Sequence, residues 1–385
     1  MKEGPSSPVK QFNKTVGDLI GSLASYNLYK KKQFKINWPS SGRVHLLGLG
    51  KSACADLEDF LKYSQEKSSS AFELGELFVF TQEGYLNKNT NQLTKHHWSG
   101  DHPVPSERNL QNSRELLAQL AALPSQDSLL VFLSGGTSAL LELPKVGHSL
   151  EEIQQLNRKL LSSEVDIYQM NRQRAELSQL KNGGLLEYFK GNWIATIISS
   201  DLPGDDPTWV GSSPTIKQGA LDNPEVFTLR SYRDLIEQLK LFFPRYEVFE
   251  QPHRGSSAEL ITLFKENLDK YKNIIVVGEA NVATTGAGRG GRCSHFVASM
   301  AAELLQRGNL PDFQLAAVAT DGVDGYSGSA GAFASSQQLA CDLKGLRASL
   351  AQFNSGEYLN DRGLTLRKAA TGINLMDFYL LSSMD

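Results

Sequence analysis

The sequence predicts an α/β protein of two domains built on largely parallel sheets. Six short apolar runs recur along the chain, at 44–47, 77–80, 129–133, 194–198, 274–277 and 315–319, with helical patterns between them, and that alternation is the signature of the class. Most of these runs end in glycine, serine or aspartate, at the carboxyl ends of the strands where ligands bind in such sheets. At 385 residues the chain has material for about two cores.

The first run leads into Gly48-Leu-Gly-Lys-Ser52 and a helix opening at Ala53. Gly48 and Gly50 allow a tight turn, and Lys51 is a candidate phosphate contact or charge stabiliser. A Walker A loop is excluded, because His45 stands where that motif needs its first glycine. After the third run, Ser134-Gly-Gly-Thr-Ser138 combines the amides of Gly135 and Gly136 with the hydroxyls of Ser134 and Ser138, a candidate oxyanion nest. Ser149 and Glu152 open a helix to 161 as a capping box. Asn171, Arg174, Ser178 and Lys181 follow at spacings that predict one polar helix face.

The fourth run ends in Asp201, Asp205 and Asp206, kinked by Pro203 and Gly204; such carboxylates suit a hydrated Mg²⁺ or a general base. Pro214, Gly219 and Pro224 break the periodicity and place a boundary between domains at 1–220 and 221–385. Ser256 and Glu259 form a second capping box. The fifth run reaches Glu279 and Gly286-Ala-Gly-Arg-Gly-Gly-Arg292, followed by a helical pattern at 295–306. Gly288, Gly290 and Gly291 allow close approach, Arg289 and Arg292 add forked positive charge, and a helix N-terminus lies beyond; together they suit a phosphate or carboxylate. Asp321 and Asp324 close the sixth run with interleaved glycines.

A formal net charge of −3 argues against a dedicated nucleic-acid binder. Cys54, Cys293 and Cys341 are odd in number and scattered, which fits a reducing compartment rather than a disulfide framework. No apolar run approaches spanning length, so a cytoplasmic protein without membrane contact is expected.

Read together, these motifs resemble the glycerate 2-kinase family, the type with an N-terminal Rossmann-like domain and a C-terminal α/β MOFRL domain. The likeness runs in order from Gly48–Ala53 through His102–Pro105, Ser134–Leu140, Asn171/Arg174/Ser178, Ser200–Pro207, the complete 286–292 loop, 320–325 and Gly372–Asp377. It implies transfer of the ATP γ-phosphoryl group to the 2-hydroxyl of D-glycerate or a related small hydroxy acid, with Mg²⁺. Lys51, Arg289 and Arg292 would then stabilise charge and anchor the substrate carboxylate. Asp201, Asp206 and Asp321 would bind metal, Asp201 or Asp321 polarising the hydroxyl. Gly48, Gly50, Ser134, Gly135, Gly136, Ser138, Asn171, Arg174, Lys181, Glu279, Gly288, Gly290, Gly291 and Asp321 would line the substrate and nucleotide. Motifs in both halves imply a cleft between them that closes on substrate, and a homodimer is among the expectations. The chain departs from the usual pattern at Cys293-Ser294-His295, where the family carries Asn-Gln-Glu, and at Gly184, where it carries arginine; these changes bear on substrate identity more than on fold. Two other readings compete. Gly48-x-Gly50 after a strand suggests a hydroxypyruvate reductase-type oxidoreductase, and the replaced 293–295 suggests a non-catalytic binding protein on the kinase fold.

Overall fold

The computed structural model describes residues 8–67, 72–86, 92, 94–161, 167–202, 204, 206–282, 288–307, 312–339 and 342–383. Two compact units emerge, one of residues 24–231 and the other of residues up to Leu23 together with 232 onward. The chain therefore passes between units at Ser231/Tyr232 rather than at 220/221. The intervening run Glu225–Arg230 is a strand of the first unit, and the first helix belongs to the second.

In order, the first unit contains α2 (Ser25–Lys32, the helix after α1, Pro8–Ser22), β1 (Arg43–Leu49), α3 (Ala53–Glu66), β2 (Glu73–Gln82), β3 (His96–Gly100), α4 (Glu107–Ala121) and β4 (Ser128–Ser134). Then come α5 (Thr137–Leu140), α6 (Leu150–Leu161), α7 (Ile167–Leu177), β5 (Trp193–Ser199) and β6 (Glu225–Arg230). Its sheet has the order β3-β2-β1-β4-β5-β6, parallel throughout. Alternate side chains serve opposite faces: Leu47, Phe78, Leu129 and Val131 enter one core, Leu46, Leu77, Leu130 and Phe132 the other. Strands covered on both sides must be apolar at nearly every position, which is why these runs were legible. The order turns back between β1 and β4, so their carboxyl ends form a topological switch point, where the crevice of such sheets opens.

The second unit holds α1, α8 (Tyr232–Phe242), β7 (Glu247–His253), α9 (Ser257–Asn267), β8 (Asn273–Gly278), α10 (Arg292–Gln306) and β9 (Phe313–Val318). It continues with β10 (Gly331–Ser335), α11 (Ser336–Leu339), α12 (Leu343–Ala351), α13 (Ser355–Asn360) and β11 (Asp377–Ser383). Here the expectation of parallel sheets gives way. The order is β10-β9-β11-β8-β7, with only β7 and β8 parallel. The C-terminal strand β11 runs antiparallel between β8 and β9. One core fills this unit, and α1 contributes Val9, Phe12 and Leu19 to it.

Candidate functional site

At the switch point of the first unit, the turns after β1 and β4 are laced together. The Lys51 N–H donates to the Gly135 carbonyl at 2.9 Å, the Ser52 N–H to Ser134 Oγ at 3.1 Å, and Ser134 Oγ to the Leu49 carbonyl at 3.2 Å. Gly50 has φ +107°, and a Cβ there would stand 2.4 Å from Ser134 Oγ. One on Gly48 would stand 3.1 Å from Ala53 Cβ. These two glycines therefore admit close approach of the protein's own neighbours.

Gly136, at φ +90°, is the floor of the site: a Cβ on it would lie 3.2 Å from Lys51 Cγ and 3.7 Å from His102 Cδ2. From α7, Arg174 Nη1 reaches towards Ser138 Oγ at 3.5 Å. Ser138 Oγ shares a 2.6 Å hydrogen bond with Ser212 Oγ, which donates to Asn171 Oδ1 at 2.9 Å. Asn171 Nδ2 in turn donates to the Trp209 carbonyl at 2.9 Å. Four expected residues, Lys51, Ser138, Asn171 and Arg174, thus converge on one turn. Arg174 Nε is buried with no hydrogen-bond partner, and burial lowers the guanidinium to about 10, opposed by Glu142. Among the described residues it has no carboxylate at contact distance, and a desolvated cation so placed is costly unless a ligand supplies the anion. Beside Asn171 and Ser212 a pocket of about 210 Å³ also borders Arg172, Asn182 and Trp209. It is smaller than the ~300–1,000 Å³ of sites for drug-sized ligands, and neither Lys51 nor Arg174 lines it.

Lys181 does not belong to that ligand-facing set. Helix α7 ends at Leu177, so Ser178 and Lys181 leave its face. The Lys181 ammonium is buried and donates to Glu142 Oε2 at 2.6 Å; its pKa is lowered, chiefly by burial. Glu142 also accepts from the Leu143 N–H at 3.0 Å. The pair is internal scaffolding, and only three-dimensional proximity reveals it.

Asp206 also has another task. Its Oδ1 accepts from the Thr208 N–H at 2.9 Å and the Thr208 hydroxyl at 2.7 Å, and its Oδ2 from Trp209 Nε1 at 3.1 Å. Both oxygens close their own turn, as Asp commonly does. Asp205 lies outside the described residues, and Asp201 follows β5 partly exposed. Among the described residues no group of three or more His, Cys, Asp or Glu gathers to hold a metal ion.

In the second unit the described glycines of the 286–292 loop pack closely against the protein itself. Residues 286 and 287 lie outside the described set. A Cβ on Gly288 would meet the Gln352 carbonyl at 2.2 Å, one on Gly290 the Phe353 carbonyl at 2.9 Å, and one on Gly291 Asp324 Oδ1 at 2.1 Å. These glycines bring the loop against the protein's own backbone and Asp324. The N-terminus of α10 is likewise filled from within, because the N–H groups of Cys293 and Ser294 donate to Asp324 Oδ1 and Oδ2, each at 2.9 Å. An internal carboxylate thus occupies the place proposed for a ligand anion, with the same physics behind it.

Arg292 is gripped by two acids. Its Nη1 lies 2.6 Å from Glu279 Oε2 and its Nε 2.9 Å from Asp377 Oδ2. The side chain is still 39% exposed, so its fork is oriented without being sealed off. Burial alone would lower the guanidinium, but Asp377 and Glu279 outweigh it and raise its pKa. Burial pushes the Asp377 carboxyl up to about 8, opposed by Arg292 and reinforced by Glu279, Asp321 and Asp324. Asp377 was read only as the end of a motif; its role became visible when β11 paired with β8. Asp321 Oδ1 accepts from the Val323 N–H at 3.0 Å, and Arg289 is exposed.

The chain matches the family DUF4147, described as a domain of unknown function, over residues 9–239. It matches the MOFRL family over residues 272–377. Glycerate 2-kinase from Pyrococcus horikoshii is 28% identical over 260 residues, 65% of this chain and 52% of that protein. The chain thus spans about half of that relative's length. D-glycerate 2-kinase from Thermotoga maritima is 27% identical over 332 residues, 74% of this chain and 79% of that protein. The chain belongs to the glycerate 2-kinase family. The crystal structure of glycerate kinase from Thermotoga maritima shares its fold, with TM-score 0.79 at 24% identity over 99% of this chain and 100% of that one.

Cys293 and Ser294, where the resemblance implies other residues, sit at wholly buried positions, and His295 stacks on Phe353 with ring centroids 6.1 Å apart. Two of the three replaced side chains therefore face the core. Gly184 is also fixed by packing, since a Cβ there would lie 1.8 Å from the Gln179 carbonyl.

Proposed function

We propose that this protein is an ATP-dependent kinase acting on the 2-hydroxyl of D-glycerate or a closely related small hydroxy acid. One observation carries the reading: Arg174, whose Nε is buried and which has no carboxylate partner among the described residues, faces the Ser134–Ser138 turn that Lys51 also overlooks. Phosphoryl transfer asks the protein mainly to position reactants and to stabilise spread negative charge. Lys51 and Arg174 supply charge in a partly dehydrated setting where each contact counts for more than in water. Arg292, aimed by Glu279 and Asp377, is a further proposed charge stabiliser, and Arg289 a proposed carboxylate anchor. Mg²⁺ accompanying a nucleotide typically needs only one or two protein carboxylates and supplies neutralisation of phosphate charge. Asp201 in the first unit and Asp321 in the second are each, taken separately, proposed contacts, whereas Asp206 is taken by its turn. A cytoplasmic location suits a nucleotide-dependent enzyme whose described cysteines, Cys54 and Cys293, are free thiols.

The test is direct. Purified protein, ATP, Mg²⁺ and D-glycerate are coupled to enolase, which consumes the 2-phosphate and not the 3-phosphate. ADP release with a coupled signal is expected. Absence of both across a panel of 2-hydroxy acids, with binding retained, would leave the non-catalytic reading instead.

A further inference from the structure

His102 has no task in the chemistry above. It lies in the connection from β3 to α4, which its neighbour pins in place. The Asp101 N–H donates to Asn109 Oδ1 at 2.9 Å. The Asp101 carboxylate accepts from Ser106 Oγ and from Arg108 Nη2, each at 2.5 Å. That anchoring turns the Asp101 charge towards Ser106 and Arg108 and sets the partly buried imidazole over Gly136 beside the stem of Lys51. Among the described residues His102 makes no hydrogen bond or ion pair. The charged groups among the described residues that act on it are Lys51 and Arg174, both cationic, and with burial as the largest cause they push it down to about 3. A neutral imidazole is thus held where a third positive charge is unwelcome until an anion arrives.

We propose that His102 is a further ligand-contacting residue of this site, one that hydrogen-bonds the oxyanion held by Lys51 and Arg174 and takes up a proton from solvent as that anion binds. The ligand class is a phosphoryl or carboxylate group. An added negative charge at hydrogen-bond distance reverses the local balance and favours imidazolium; a ring nitrogen gains an N–H, a buffer acid or hydronium gives up that proton, and no bond of the anion itself changes. The inference rests on the kinase reading only for the natural identity of that anion.

Full-length protein is titrated calorimetrically near pH ~6 with D-glycerate and, separately, with inorganic sulfate, in buffers of different ionisation enthalpy. Both probes are fully ionised there, so any proton taken up resides on the protein. Uptake of roughly one proton per bound anion is expected. His102→Gln should abolish the uptake and weaken binding about 10-fold, with an unchanged circular dichroism spectrum. A measurement on the native protein stands apart from that variant: the imidazole NMR signals should show one histidine converting to imidazolium on adding sulfate at constant pH. Binding without proton uptake, no binding of either anion, or uptake that persists in His102→Gln would overturn the assignment. If the kinase reading alone is wrong, sulfate still binds with proton uptake while the coupled assay stays silent.

Discussion

Arg174 and Lys51 face the same turn, yet they should respond differently to substitution. Lys51→Met is expected to cut turnover about 100-fold, the usual effect of deleting one stabilising contact worth ~3 kcal/mol. Arg174→Met should lower turnover comparably. Because it removes a desolvated charge that has no carboxylate partner among the described residues, its melting temperature should hold or rise. Thermal melts beside the coupled assay check both, and a clear loss of stability in Arg174→Met would mean that the arginine is structural. His102 adds a pH signature. Its folded-state value, about 3, lies below the ordinary 6.5, so between those values the unfolded chain binds a proton that the native chain refuses. Stability from this group is therefore complete above pH ~6.5 and declines as pH falls towards ~3. Melting temperatures across pH 7 to 4 should fall less in His102→Gln than in the native chain, and equal slopes would count against the environment described.

At the level of elements, the start of α10 departs furthest from expectation. A glycine-rich loop before a helix reads as an anion cradle, but Asp324 has taken the two N–H groups. Asp324→Ala removes the cap and leaves buried donors unsatisfied, and a loss of about 1–2 kcal/mol is expected in denaturant melts. The same loop aims Arg292, so activity should fall with stability. An unchanged unfolding midpoint would show that other groups or water satisfy those amides. The turn after β4 differs in kind: its amides are laced to the β1 turn by Ser134 and Gly135, and Gly136 keeps open the floor shared by Lys51 and His102.

For the whole molecule, the division of the cores matters more than the order of motifs. Residues 24–231 contain both faces of the parallel sheet and their two apolar clusters, so this fragment should fold alone. Residues 232–385 should not, because Val9, Phe12, Leu19 and Leu23 belong to their core, and each buried side chain of that size contributes about 1.5–3 kcal/mol. Circular dichroism of the shorter fragment, with and without a peptide spanning 8–23, checks this. Cooperative melting without the peptide would overturn it.

The parallel strands of the first sheet were legible because both faces are buried, which makes each strand a continuous apolar run. The site motifs were legible because they stand where such runs stop. The edge strands β3 and β6, and the half-covered β7, were not, since partly or fully exposed positions admit His96, Glu225 and Glu247 and blur the pattern. By itself the sequence determined the α/β class, which follows from local composition and spacing, and its ordered motifs carried the resemblance to the family and nominated the turns proposed to carry chemistry. Tertiary structure alone decided which charges are already paired. Lys181 with Glu142, Arg292 with Glu279 and Asp377, and the α10 N-terminus with Asp324 are contacts between residues 13 to 85 positions apart. No local pattern encodes such contacts, and they separate the residues that hold the protein together from those left to meet a ligand.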